Sequence, residues 1–448
     1  MRSLLASAFA LGLGVFPFLA ACGDDEGGGD TTDDGDDGGD DGPGACGEIE
    51  GSCIELEPSG DGTDVDLVQT ALIEAAPGDV ILFHAGVYEL DTGLSLDVLG
   101  VTLRGEGEAE TVLSFAGQTD GAEGLLVTAD DFTAEDLAVE DTIGDGIKVN
   151  GGARIVFRGV RVEWTGEPVE EHGAYGIYPV QCSDVLIEDS IVRGASDAGI
   201  YVGQSERAVV RGNTVELNVA GIEIENTFDA DVYENIATGN TGGILVFNLP
   251  GLQVQNGAGT RVYENDIFEN NGPNFAPAGN TVAQVPPGTG FVALAAHEVE
   301  VFDNRFADNQ TVQLGVISYH ITLTEWDDPD YDPYSDSLYF HDNVFEGGGD
   351  LPSGLLGPVI RAELDALPEP PAVLPDIVID GNFDPDKVDA KTGELLEEFS
   401  ICIVDNDGAD FFTLDFDGAD FVAPNLDPTP HDCDREPLAP VVLEGVPL

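Results

Sequence analysis

Four asparagine pairs, each five residues apart, set the terms on which this chain can fold: Asn213/Asn218, Asn235/Asn240, Asn265/Asn270 and Asn304/Asn309. Short runs such as Val232-Tyr233-Glu234 and Val262-Tyr263-Glu264 precede the pairs, and behind them a glycine opens an alternating strand. Those strands read Gly146-Ile147-Lys148-Val149, Gly176-Ile177-Tyr178, Gly199-Ile200-Tyr201-Val202, Gly221-Ile222-Glu223-Ile224 and Gly243-Ile244-Leu245-Val246. Their glycines are 30, 23, 22 and 22 residues apart. A unit this short cannot bury its apolar face alone and does so by stacking on the next. The expected fold is therefore an all-β solenoid of parallel coils about 4.8 Å apart. Isoleucine and valine fill its interior, and asparagines stack at its turns.

Ahead of the coils, Asp66 to Ala76 has helical spacing, with Leu67, Val68, Ala71, Leu72 and Ala75 on one face. Pro77-Gly78-Asp79 stops it. A helix at that place closes the open apolar end of a solenoid. The order of helix, "AAPGDVILFHAGVYEL" and 22-residue coils resembles the right-handed parallel β-helices of the pectate-lyase-like superfamily, over roughly residues 62 to 350. The resemblance implies a single-stranded right-handed coil with an N-terminal capping helix. More narrowly, "HGAYGIYPVQC…GASDAGIYVGQS…NVAGIEIEN…NTGGILVFNLPG" is similar to exported bacterial β-helix-repeat lipoproteins, which implies fold and location. Residues 46–350 are thus expected to form the β-helix with its N-terminal cap, and 351–448 an irregular, acidic C-terminal cap.

Residues 1–22 read as an export signal: Arg2 first, then an apolar stretch from Leu4 to Leu19, then Leu19-Ala20-Ala21-Cys22. Small residues ending at a cysteine, followed by Gly23, resemble the lipobox of bacterial lipoproteins. The resemblance implies a lipid-modified Cys22 and a place in the cell envelope, anchored to one of its membranes. Residues 23–45 are almost wholly Asp, Gly and Thr and cannot bury enough apolar area to offset chain entropy, so they read as a disordered tether. Five cysteines remain. The simplest pairing is Cys46 with Cys53 and Cys402 with Cys433, other connectivities staying open, and it leaves Cys182 as a small buried apolar residue.

Charge narrows the partners. Asp and Glu number 87 against 15 Lys and Arg, a formal charge of −72, which excludes nucleic acid and leaves membrane contact to the lipid anchor alone. The balance suits saline water or bound cations. At 42% hydrophobic residues the body still buries a core.

In each Gly-Ile-x-Val strand the position x points outward, which gives Lys148, Tyr178, Tyr201, Glu223 and Leu245 along successive coils. Asp145 and Tyr175 join that face, the insertion at 163–175 brings Glu171 and His172, and the next coil adds Asp197 and Gln204. A cation, phenols, a histidine and carboxylates gathered on one sheet suit sugar chemistry. Removing the proton beside a uronate carboxylate needs a base, a cation on the carboxylate and an acid opposite. Lys148 serves the carboxylate, while Tyr175, Tyr178 or His172 exchange protons. Tyr175-Gly176-Ile177-Tyr178-Pro179 is partly similar to the Tyr-Gly-Phe-Asp-Pro-His motif of mannuronan C5-epimerases, where a lysine one coil earlier also contributes. Here Tyr178 stands for the motif's Asp and Val180 for its His. Hydrolysis by Asp197 and Glu223 ranks second. Asp405, Asp407 and Asp410, echoed by Asp415, Asp417 and Asp420 around Gly418, offer oxygen ligands for calcium. The expected partner is polysaccharide, bound or modified by lyase or epimerase chemistry. The alternative is a non-catalytic scaffold whose exposed Leu245 and Phe247 dock another envelope protein.

Overall fold

The computed structural model describes residues 46, 51–60, 62–354, 357–414 and 425–446. Cys22, the tether and Asp415, Asp417 and Asp420 lie outside them. Three parallel sheets run along the described body. Sheet A has 12 strands from Cys53–Leu56 to Ile401–Val404, sheet B 10 from Gly86–Glu89 to Val344–Glu346, and sheet C 11 from Thr92–Leu96 to Phe411–Thr413. Each coil contributes in turn to C, A and B, so neighbours within a sheet are one coil apart. The chain is a right-handed parallel β-helix, the hand that twisted strands impose on parallel crossovers.

Alternation within each strand builds the core. Down sheet C, Ile147, Ile177, Ile200, Ile222, Ile244, Phe291, Leu314, Ile377 and Phe411 pair rung to rung and are buried. Apolar side chains stacked at one register position leave no water between coils. The expected ladder of asparagines is present at the A-to-B turn. Asn213 Nδ2 donates to Asn235 Oδ1 (2.9 Å), and the chain of bonds continues through Asn265, Asn304 and Asn343 to Asn406. Each amide also takes the backbone N–H of the preceding rung and donates to an interior carbonyl, so the side-chain amides are paired at the buried turn. A second ladder runs through Asn218, Asn240, Asn270 and Asn309. Residues just before the first ladder, Glu234, Glu264, Asp303, Asp342 and Asp405, take the left-handed conformation that turns the chain.

At the N-terminal end the helix Val65–Glu74 buries Val68, Ala71 and Leu72, whereas Leu67, expected on the same face, is exposed. Gln69 exchanges two hydrogen bonds of 3.0 Å with the backbone of Ser95 on the outermost strand of sheet C, occupying an edge that would otherwise offer unpaired groups. Disulfides join Cys46 to Cys53 and Cys402 to Cys433, and Cys182 is free and buried.

Beyond residue 350 the repeat is no longer legible in the sequence, yet the sheets continue. Ile377–Ile379, Ile401–Val404 and Phe411–Thr413 add rungs to C, A and C. The helix Gly357–Asp365 covers the outer face of those last rungs through Ile360 and Leu364. The C-terminal segment then returns across sheet A. The amides of Leu438, Val441 and Glu444 donate to Glu300, Asp231 and Asp184, carboxylates on every second coil. Three extended residues cover about 10 Å, which is two coil spacings, so the segment and the solenoid are commensurate. Val441, Leu443 and Val446 dock on the outward Val156, Leu186 and Val209.

Candidate functional site

The strands Asp145–Asn150, Tyr175–Val180, Ala198–Gly203 and Ala220–Glu225 lie side by side in sheet C and carry the expected outward residues. Lys148 Nζ lies 3.6 Å from Glu123 Oε1 and 3.7 Å from Asp145 Oδ2, and 4.6 Å above the Tyr178 ring. Tyr175 packs on Tyr178 and Tyr201 at 4.5 and 4.6 Å between centroids, and Tyr178 meets Tyr201 edge to face at 5.0 Å. Tyr201 donates to Glu225 Oε1 (2.6 Å), and Asn280 Nδ2 donates to Asp197 Oδ2 (2.8 Å). Glu223 Oε2 is buried with no hydrogen-bond partner among the described residues.

The face is not the open surface that alternation alone implied. The loops at 269–288 and 318–335 fold over it and place Val282, Val285, Tyr319 and Tyr331 on Leu245, Phe247 and Val292. Tyr201, Asp197 and Glu223 point away from the core but are 4, 5 and 2% exposed, roofed by these loops. Leu245 and Phe247, expected to offer a docking patch, are likewise buried. Lys148, Tyr175 and Tyr178 remain half-exposed at the margin. His172 packs away from the tyrosines: its Nδ1 meets the Gly194 carbonyl at 2.8 Å and its ring stacks on Trp164. Asp197 and Glu223 influence one another but lie under the roof, so they do not flank a glycosidic bond.

Burial and crowding of like charge raise the carboxyls. Asp145 is pushed up to about 6, chiefly by desolvation, with Lys148 pulling the other way. Desolvation lifts Asp197 to about 7 against the Asn280 hydrogen bond, with Glu225 and Asp145 adding to the rise. Glu225 reaches about 7, again by burial, and Glu223 stands well above the carboxylate range because burial and both neighbours oppose its charge. The phenol of Tyr178 is raised by burial and then by Asp145 and Glu225, which keeps it protonated and so able to donate a hydrogen bond. Glu123, Glu225 and Asn280 join the cluster without being singled out by the sequence. Glu225 was within reach of the alternation rule, two residues beyond Glu223, whereas Asn280 reaches Asp197 across 83 residues and leaves no local signal.

Of the proposed calcium ligands, Asp405 is the turn residue ahead of ladder residue Asn406, and the Asp410 backbone takes part in pairing with residues 376 and 377. Among the described residues the one group of acidic or histidine ligand atoms close enough to share an ion is His297, Asp332 and Asp336. There Lys387 Nζ already lies 2.6 Å from both carboxylates.

A family described as right-handed β-helix region matches residues 119–256. No curated protein matches the chain. Among solved structures, the chain is similar to the A-module of the Azotobacter vinelandii mannuronan C-5 epimerase AlgE4, with 18% identity and a TM-score of 0.44, covering 66% of this chain and 95% of that one. The DFA-IIIase of Arthrobacter chlorophenolicus A6 gives 11% identity and a TM-score of 0.45, covering 76% and 96%. Pectate lyase Pel9A gives 16% and 0.39, covering 66% and 76%. These are distant likenesses of fold.

Proposed function

We propose that the chain binds polysaccharide at the margin of sheet C where Lys148, Tyr175 and Tyr178 stay half-exposed, and acts there by proton transfer of the lyase or epimerase kind. Lys148 carries this reading. One of three lysines in a chain of formal charge −72, it is held over the Tyr178 ring with Asp145 and Glu123 beside it. A uronate carboxylate must be neutralised before the adjacent proton leaves. Lys148 supplies a cation, and Asp145, protonated up to about pH 6, supplies a hydrogen-bond donor. Tyr178 gives its proton to the departing sugar oxygen, and Glu123, at the exposed margin, takes the proton beside the carboxylate. The raised carboxyls also lessen the repulsion of an acidic glycan below neutral pH.

The scaffold alternative loses the feature that motivated it, because Leu245 and Phe247 are covered. Export and anchoring through Cys22 complete the proposal. Two disulfides in the body suit an oxidising compartment.

The test is proton NMR on neutral and acidic polysaccharides incubated with the purified protein. New unsaturated, inverted or reducing-end sugar signals establish an enzyme and name its reaction. Tyr178→Phe is expected to abolish turnover with the circular dichroism spectrum unchanged, and an active Tyr178→Phe variant removes Tyr178 from the mechanism. Unchanged spectra, with no binding to any of the glycans, end the polysaccharide reading.

A further inference from the structure

Resting on that reading, we propose that an open groove at the C-to-A turn is a second glycan subsite and that it takes an uncharged sugar residue. The groove, ≈ 540 Å³, lies at the carboxyl ends of the strands that carry Lys148, Tyr178 and Tyr201, and is lined among others by Gly151, Gln181, Gln204, Gln253 and Phe228. Gln181 follows Tyr178 by three residues and Gln204 follows Tyr201 by three, so the groove is about 10 Å along the strands from the site. A glycan lying on the half-exposed face reaches it by crossing one turn.

Its lining is polar but carries little of the molecule's charge. In a chain with 87 acidic residues the groove holds a single charged side chain, Glu206, and that carboxylate is paired 2.6 Å from Arg207. Its other polar side chains are three primary amides, two serine hydroxyls and the Cys182 thiol, and Phe228 adds an aromatic ring. Gln204 Oε1 accepts from the backbone N–H of Gln253 (3.0 Å), which fixes the wall formed by the loop at 248–257. Among the described residues, neither Gln181 nor Gln253 uses its side-chain amide on another protein group. Primary amides offer a donor and an acceptor side by side, the pattern that vicinal hydroxyls match. Phe228, 39% exposed, presents an apolar surface for the C–H face of a sugar ring. With no cation free in the lining, a uronate gains nothing there, whereas a neutral sugar loses nothing.

Isothermal titration of the full chain with cellohexaose, xylohexaose, laminarihexaose, maltohexaose and hexamannuronate tests this. At least one neutral hexasaccharide is expected to bind, with a Kd raised about 10-fold or more in Gln181→Ala/Phe228→Ala and restored when Phe228 is replaced by Tyr instead. Gln253→Ala, on the loop wall, is expected to weaken the same ligand without altering the melting temperature. Neutral binding that is indifferent to all these variants overturns the subsite, and so does a titration in which hexamannuronate alone binds; both leave the Lys148–Tyr178 reading standing. No binding by any probe overturns the two together.

Discussion

Glu223 shows how far a side chain can depart from the role its position implies. Its alternation points it outward, yet the roofing loops exclude water and leave one carboxyl oxygen without a partner among the described residues. It shares this space with Asp197 and Glu225, all three raised. A carboxyl whose folded pKa lies above its unfolded value binds extra protons when folded, so its contribution is present below about pH 4 and is lost as pH rises towards the folded values near 7. Stability to urea is therefore expected to fall between pH 5 and pH 8. Glu223→Gln should flatten that fall and stabilise the protein at pH 8, on the order of 1–3 kcal/mol. A steeper fall in the variant sinks the argument. Asp145 titrates near 6 beside Lys148. Hexamannuronate affinity is accordingly expected to strengthen as pH drops from 8 to 5.5, read by titration calorimetry, while a neutral hexasaccharide shows a flat profile.

At the scale of the element, the asparagine ladders do the work that tight turns usually leave to water. Asn240 Oδ1 takes both the backbone N–H and the side-chain amide of Asn218, and its Nδ2 serves Val215 and Asn270. Asn240→Ala strands several buried polar groups at once and is expected to cost about 2–4 kcal/mol, measured as a lower urea midpoint. Asn406→Ala, on the last rung, leaves fewer groups unpaired and should cost less. Equal losses would mean that the ladder does not act rung by rung. This element was legible from spacing alone as far as Asn309, because the repeat period kept the pairs visible. Asn343 follows Asn304 by the same 39 residues that separate Asn304 from Asn265, but Gly348 stands where the second asparagine of a pair would be, and Asn406 lies a further 63 residues on, where the repeat is no longer legible.

Across the whole molecule, charge is organised by register. In sheet A one outward column reads Arg104, Glu135, Arg158, Glu188, Arg211, then Tyr233, Tyr263, Phe302 and His341. Its arginines alternate with carboxylates and its rings stack at 4.7 to 5.1 Å. The arginines of this column are thus placed where each bridges neighbouring coils, and the carboxylates left without a cation repel one another through water. The urea midpoint is expected to rise between 50 mM and 2 M NaCl, with m unchanged. A midpoint that stays flat or falls removes the saline interpretation.

Period and alternation were enough to determine the solenoid, its interior columns, the asparagine turns and the outward direction of Lys148, Tyr178, Tyr201 and Glu223. Each of these follows from interactions one coil away, repeated along the chain. Only the tertiary structure decided which outward residues meet solvent, which carboxyls share a buried space, and where the C-terminal segment runs. Those outcomes depend on segments further along the chain that fold back over a sheet already formed, as Asn280 does on Asp197 across 83 residues. Spacing along the chain records the coil that a residue occupies; it carries no trace of what later lies across it.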